Sequence, residues 1–185
     1  MKKILTSLFS FFIFSIIFSG ILTPVQAEGI EETDPLSIGN PLYPNSTLEM
    51  QPGDVLYTSK GWSTGLVGHV AIVGTDFKLK EVLTGKPAGR STTLNAFWAR
   101  HSKGNKISIY RPSKGATSAA KWATKNISSA TSYNLVSHNI NTISKNYCSK
   151  FVAQAFYHGS NISLVSSINT LITPNNLAKS SSKII

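Results

Sequence analysis

Residues 146–158 read NYCSKFVAQAFYH and hold the single cysteine of the 185-residue chain, Cys148. After Cys148 the apolar residues Phe151, Val152, Ala155 and Phe156 recur at i+3, i+4, i+7 and i+8. That spacing predicts an amphipathic helix with the sulfur in its first turn. Unpaired backbone N–H groups and the positive end of the helix dipole favour a thiolate there, and Lys150 adds a nearby positive charge. A lone cysteine is equally a small apolar residue that fills cores. The helix by itself admits both readings.

The two ends of the chain help to decide. Lys2 and Lys3 precede an apolar run from Ile4 to Leu22 and the exit Thr23-Pro24-Val25-Gln26-Ala27. This pattern predicts a secretory signal peptide, residues 1–27, cleaved after Ala27, with an uncleaved anchor as the alternative use of the run. No cysteine stands at the exit to take a bacterial lipid. The expected localisation is therefore secreted or associated with the cell wall. Residues 28–185 suffice for one domain with a core. Residues 28–50 are acidic, then rich in Pro, Asn and Ser, and predict an extended lead-in to a domain at 51–185. An exported chain with one cysteine either dimerises through it or keeps a free thiol, which shifts the weight on Cys148 toward chemistry.

Charge is asymmetric. The formal net charge is +10, and no Asp or Glu follows Glu81. Such a surface should adhere to polyanions, for an exported protein wall polymers or anionic lipid head groups, although a merely solvated basic surface has the same composition. Nucleic acid is not expected, because no basic-aromatic motif accompanies the charge.

Between the ends, Pro52-Gly53-Asp54 predicts a turn into a strand at 55–58, and His69–Val73 is a β-branched strand run. Further strands are expected at 78–84, within 85–94 and at 107–111. Asn95 can cap a short helix, Ala96–His101. Residues 114–126 are alanine-rich and helical in pattern, 127–146 are ambiguous between loop and broken helix, and 160–185 read as a polar tail with an apolar patch at 162–172. Strands first and helices after predict an α+β fold.

A cysteine nucleophile needs a base, and the base needs an orienting partner. Of four histidines, His101 is expected at the surface and His138 has nothing to fix it. His158 lies ten residues along the Cys148 helix, about 15 Å away. His69 starts a buried-type strand, where it is either the base or a core histidine with a satisfied hydrogen bond. Glu81, flanked by Leu79, Val82 and Leu83, needs a partner. It shares a face with His69 if the hairpin connection has an odd residue count, and a three-residue loop centred on Thr75 would place the two directly opposite. The competing reading pairs Glu81 with Lys78 or Lys80 at the surface.

PGDVLYT, GHVAIV, the polar residue of the next strand, FWAR and YCSKFVAQAFY, in that order over residues 52–158, resemble the circularly permuted NlpC/p60 group of papain-like cysteine hydrolases. The resemblance implies an antiparallel, barrel-like sheet packed against the cysteine-bearing helix. It also implies Cys148 as nucleophile, His69 as base and Glu81 as orienting residue. The backbone N–H of Cys148 is then the first oxyanion donor. Tyr57 and Tyr133 are candidates for the second donor and for substrate binding, against ordinary packing roles, and Trp62 is a candidate for the groove wall. Trp98 and Trp122 are expected in the core. No cofactor or metal is implied. The expected activity is cleavage of an amide, foremost in peptidoglycan peptides. The alternatives are lipid or acyl chemistry of the lecithin:retinol acyltransferase type, and a non-catalytic cationic protein that adheres to wall or membrane.

Overall fold

The protein is described by a computed structural model that covers residues 39–59, 68–101, 106–180 and 182–183. These belong to the compact unit Ser37–Ile185. The predicted signal peptide and Trp62 lie outside the described residues. In chain order the elements are β1 (Val55–Thr58), β2 (His69–Val73), β3 (Leu79–Val82), β4 (Gly89–Thr92), α1 (Leu94–His101), β5 (Ile107–Arg111) and α2 (Ala116–Asn126). They continue with β6 (Ser132–Tyr133), β7 (Lys145–Asn146), α3 (Cys148–Ser160), α4 (Pro174–Lys179) and β8 (Ser182–Lys183).

The chain is α+β, with one antiparallel sheet in the order β4-β3-β2-β1-β5-β8. β1 lies at the centre because Pro52-Gly53-Asp54 turns the chain into it and both its neighbours pair along its full length, Thr58 opposite His69 on one side and Ile107 on the other. The barrel-like closure expected from the sequence does not form among the described residues. β4 and β8 are edges and the sheet stays open.

Period-2 alternation gives the sheet two apolar faces. Val55, Val70, Ile72 and Val82 form one core with Ala119, Ala123, Phe151, Val152, Ala155 and Phe156 of α2 and α3. Leu56, Ala71, Val73, Leu79 and Ile109 form the other with Phe97 of α1 and with Tyr43 and Met50. The small residues of α2 let α3 approach closely, and at Gly159 a Cβ would stand 2.7 Å from the Ser118 carbonyl oxygen.

Three segments depart from the sequence expectation. Residues 41–50, expected to be extended lead-in, fold back through a Leu42–Glu49 bridge and bury Tyr43 and Met50. Asp54 fixes this turn, accepting from the Tyr43 hydroxyl at 2.8 Å and the Gln51 N–H at 2.9 Å while pairing with Arg111. Thr93 rather than Asn95 caps α1, its hydroxyl accepting from the Ala96 N–H. The polar tail contains α4, which Thr173 caps and Pro174 opens.

Candidate active site

Cys148 is the first residue of α3, and its sulfur faces the backbone N–H groups of Val70 and Ser149. The segment leading into α3 has little regular structure, so side chains of the helix hold it. Gln154 donates to the carbonyls of Ile140 and Thr142, His158 Nε2 lies 3.0 Å from the Ile140 carbonyl, and Asn146 donates to Gln154 Oε1 at 2.6 Å. Lys150, expected to add charge beside the thiol, instead directs its ammonium to the Lys145 carbonyl at 2.9 Å and toward Ser137. Burial brings its pKa down to about 8.

His69 opens β2 next to Gly68, whose φ of 76° and close approach to the Thr58 carbonyl exclude a side chain. Extending the β2–β3 register (Ile72 opposite Lys80, Val73 opposite Leu79) puts Glu81 opposite Ala71. His69 and Glu81 therefore share a face through an odd, five-residue connection. They sit diagonally, not directly opposite as a three-residue loop would place them. The diagonal suits the reach of both side chains: His69 Nε2 and Glu81 Oε2 are 2.9 Å apart, fully buried. Glu81 Oε1 accepts from the Thr92 hydroxyl at 2.6 Å and from the Arg100 guanidinium. The partner of Glu81 is thus the interior histidine, not a surface lysine; Lys80 pairs with Asp76.

The thiol and the imidazole influence each other directly. Among the described residues, His69 Nδ1 is buried and has no aligned hydrogen-bond partner. The two groups are nevertheless close enough to bias each other's charge. Burial opposes charge on the imidazole, but the Cys148 and Glu81 anions overcome it and raise the His69 pKa to about 9. Burial likewise opposes the thiolate, yet His69 and the two backbone N–H groups bring the Cys148 pKa below its ordinary value. Glu81, despite burial, is held at about 2 by His69, Thr92 and Arg100. The arrangement favours thiolate, imidazolium and carboxylate in a row.

His101 is buried, contrary to the surface position expected for it. Phe97 and His101 lie four residues apart on α1, so both turn toward the sheet. The His101 ring stacks on that of His69. The donor atoms of His69, Glu81 and His101 lie within 4.8 Å of one another, a spacing that a metal ion could bridge. The chemistry of the donors opposes a cation there, since the Glu81 carboxylate already accepts from His69, Thr92 and Arg100 and a guanidinium stands beside it.

A cleft of about 250 Å³ opens at Cys148, walled mainly by Tyr133, Leu135, Val136, Tyr147, Leu171 and Ile172, with His138 also in its lining. Tyr133 stands in this wall, its pKa raised to about 12 by burial and by the neighbouring Cys148 charge. Tyr57 does not. It packs edge-on against Tyr110 and lies against Gly68. Ser149 and Tyr147 tie the 171–174 wall to the start of α3, the Ser149 hydroxyl donating to the Ile172 carbonyl at 2.6 Å and the Tyr147 oxygen accepting from the Ile172 N–H. Trp98 and Trp122 are half-buried on the two cores. The sequence reading named Tyr133 and the apolar patch at 162–172 but missed Arg100, the burial of His101, and Leu135, Val136, Thr173 and Pro174 in the walls. The i, i+4 pair Phe97/His101 and the Thr173-Pro174 cap were the available signals.

An open antiparallel sheet thus presents a buried histidine–carboxylate pair beside a cysteine at a helix start. The chain belongs to the family described as "Lipoprotein N-acylation protein LnsA-like", whose profile matches residues 6–180. That family is related to the papain- and NlpC-like cysteine hydrolases, so the resemblance drawn from the motifs holds at this broader level. An uncharacterized 30.3 kDa protein of Bacillus thuringiensis is 31% identical over 137 residues, 68% of this chain and 51% of its own. The chain thus spans about half the length of that relative. The crystal structure of the metalloprotein yiiX from Escherichia coli O157:H7 shares the fold with a TM-score of 0.57 at 15% identity, covering 73% of this chain and 96% of its own.

Proposed function

We propose that this protein is an acyl-transferring cysteine enzyme in which Cys148 takes an acyl group from a lipid ester and passes it to an amine, with water as the competing acceptor. The observation that supports this most is the apolar cleft at the thiol. A site for peptides needs several polar groups to hold the backbone, whereas this wall is almost wholly hydrocarbon and suits a fatty acyl chain. Family membership points the same way and nominates the N-terminal amine of a lipoprotein as acceptor.

In the first step the Cys148 thiolate attacks the ester carbonyl. The negative charge that develops on oxygen is met by N–H groups at the start of α3, and His69 gives its proton to the departing alcohol, leaving an acyl thioester and a free alcohol. In the second step the amine attacks the thioester, His69 accepts a proton from it, and the thiolate leaves as the amide forms. Glu81 touches neither substrate. It holds the His69 ring and its tautomer and stabilises the imidazolium, and Arg100 and Thr92 fix Glu81 in turn.

Export, with residues 1–27 as leader, would put this chemistry on the outer side of the membrane, where the basic surface meets anionic head groups. Among the described residues no helix is long and apolar enough to cross a membrane. Cleavage of wall peptides would use the same three residues. It is the second reading, supported by the thiol geometry and opposed by the apolar wall.

Purified full-length protein incubated with phospholipid vesicles and a lipopeptide bearing a free N-terminal amine should yield N-acylated lipopeptide and lysophospholipid by mass spectrometry. Cys148→Ala should yield neither. Release of muropeptides from peptidoglycan, with no acyl transfer, would replace this reading with the second.

A further inference from the structure

Val136 is 81% exposed, Leu135 47% and Leu171 53%, and all three rim the cleft at Cys148. Of the four exposed large hydrophobic residues among the described ones, only Leu42 lies elsewhere. Their exposure is built into the fold. The turn at Leu135-Val136 is held from below, the Asn134 N–H donating to the Asn146 carbonyl at 2.8 Å and the Val136 N–H to the Asn134 side chain at 3.0 Å. Lys150 reaches Ser137 from the helix behind. The opposing Leu171 is carried by the wall that Ser149 and Tyr147 clamp. Two pinned walls therefore hold apolar side chains out in water at the mouth of an apolar cleft, an arrangement that gains only when something apolar covers it.

We infer that this rim is a bilayer-docking face: Leu135, Val136 and Leu171 enter the head-group boundary of an anionic membrane so that an acyl chain passes from lipid into the cleft. Charge selects the membrane among possible occupants. No Asp or Glu occurs after residue 81, so both walls are free of carboxylates, and Lys145, exposed on β7 beside the wall, is basic. Anionic head groups meet no repulsion there, and apolar insertion with basic flanks is the chemistry of interfacial attachment. The inference rests on the acyl-transfer reading for its purpose, but the docking is measurable without turnover.

The test uses the full chain with its only cysteine moved. In a Cys148→Ala background, Val136→Cys, Leu171→Cys and, as control, Lys121→Cys on the exposed side of α2 are each labelled with a polarity-sensitive fluorophore. Thermal unfolding is compared with Cys148→Ala to confirm the fold. Adding phosphatidylcholine vesicles that contain phosphatidylglycerol should shift the emission at 136 and 171 to the blue, saturably, and leave 121 unchanged; vesicles without phosphatidylglycerol should give a weaker effect. No shift at either rim position, or an equal shift at 121, overturns the inference. So does a shift that grows with protein concentration without vesicles, which would mean that a second copy covers the face. Docking by the rim without acyl transfer by the wild type would sink the proposed function alone, and transfer without docking would sink the inference alone.

Discussion

The ring of His101 lies against that of His69 with centroids 5.1 Å apart and planes 12° from parallel, and among the described residues neither nitrogen of His101 has a hydrogen-bond partner. Burial, followed by the positive charges of His69 and Arg100, brings the His101 pKa down to about 4, with Glu81 opposing. Between the ordinary imidazole value of 6.5 and about 4, the unfolded chain takes a proton that the folded chain refuses, so this residue withdraws stability as pH falls through that window. Glu81, at about 2 folded against 4.5 unfolded, withdraws its contribution only below about 4.5. His101→Phe keeps an aromatic ring in the stack and removes the titration. Its melting temperature should fall less steeply than the wild type's between pH 6.5 and 4.5; parallel curves would show that His101 is protonated in the folded protein.

Glu81→Gln tests the carboxylate that His69, Thr92 and Arg100 share. The amide retains bonding to His69 but removes the charge that favours imidazolium and leaves Arg100 facing a neutral group. Turnover should fall by roughly 10²–10⁴-fold, the range for loss of general acid–base function. The alkaline limb of the rate profile should move below its wild-type position, because His69 loses one of the two anions that raise it. An unchanged alkaline limb would mean that Glu81 does not act through His69.

Cys148 should react with iodoacetamide rapidly well below the pH range of an ordinary thiol. The thiolate–imidazolium pair forms as pH rises through the lowered Cys148 value and is lost as His69 deprotonates near 9. The two titrate as a pair, so the profile reports their joint behaviour. A single rise centred near ~8.5 would instead describe an inert buried thiol, as the non-catalytic reading requires.

The domain boundary is tested by truncation. A chain that starts at residue 51 lacks Tyr43 and Met50 and leaves Asp54 without the Tyr43 hydroxyl. Burial of two such side chains contributes about 1.5–3 kcal/mol each, so this chain should melt well below one that starts at residue 38. Equal melting temperatures would return residues 38–50 to the role of an extended lead-in.

Much of the scaffold was legible because strong periodicity and punctuation coincided. The runs at 55–58, 69–73 and 107–111 are β-branched and bounded by Gly, Pro or Asp, and the stripe after Cys148 is uninterrupted. The candidate site was legible in part for the same reason, since His69 and Cys148 sit on these segments and Glu81 lies in the run 78–84, itself expected as a strand. What escaped depends on tertiary contact. His101 looks polar at a helix end and is buried because Phe97 fixes which face of α1 meets the sheet. Residues 132–146 have no period of their own and are held by Lys150, Gln154 and His158 from α3. Among the described residues the sheet stays open because pairing ends at the edge strands β4 and β8, which no local pattern reveals.

The most direct measurement is the intact mass of the protein after brief incubation with phospholipid vesicles and no amine acceptor. The account predicts a gain equal to one fatty acyl group, located at Cys148, removed by neutral hydroxylamine as a thioester is, and absent in Cys148→Ala. Lysophospholipid release by Cys148→Ala, or acyl mass at any other residue, would contradict it.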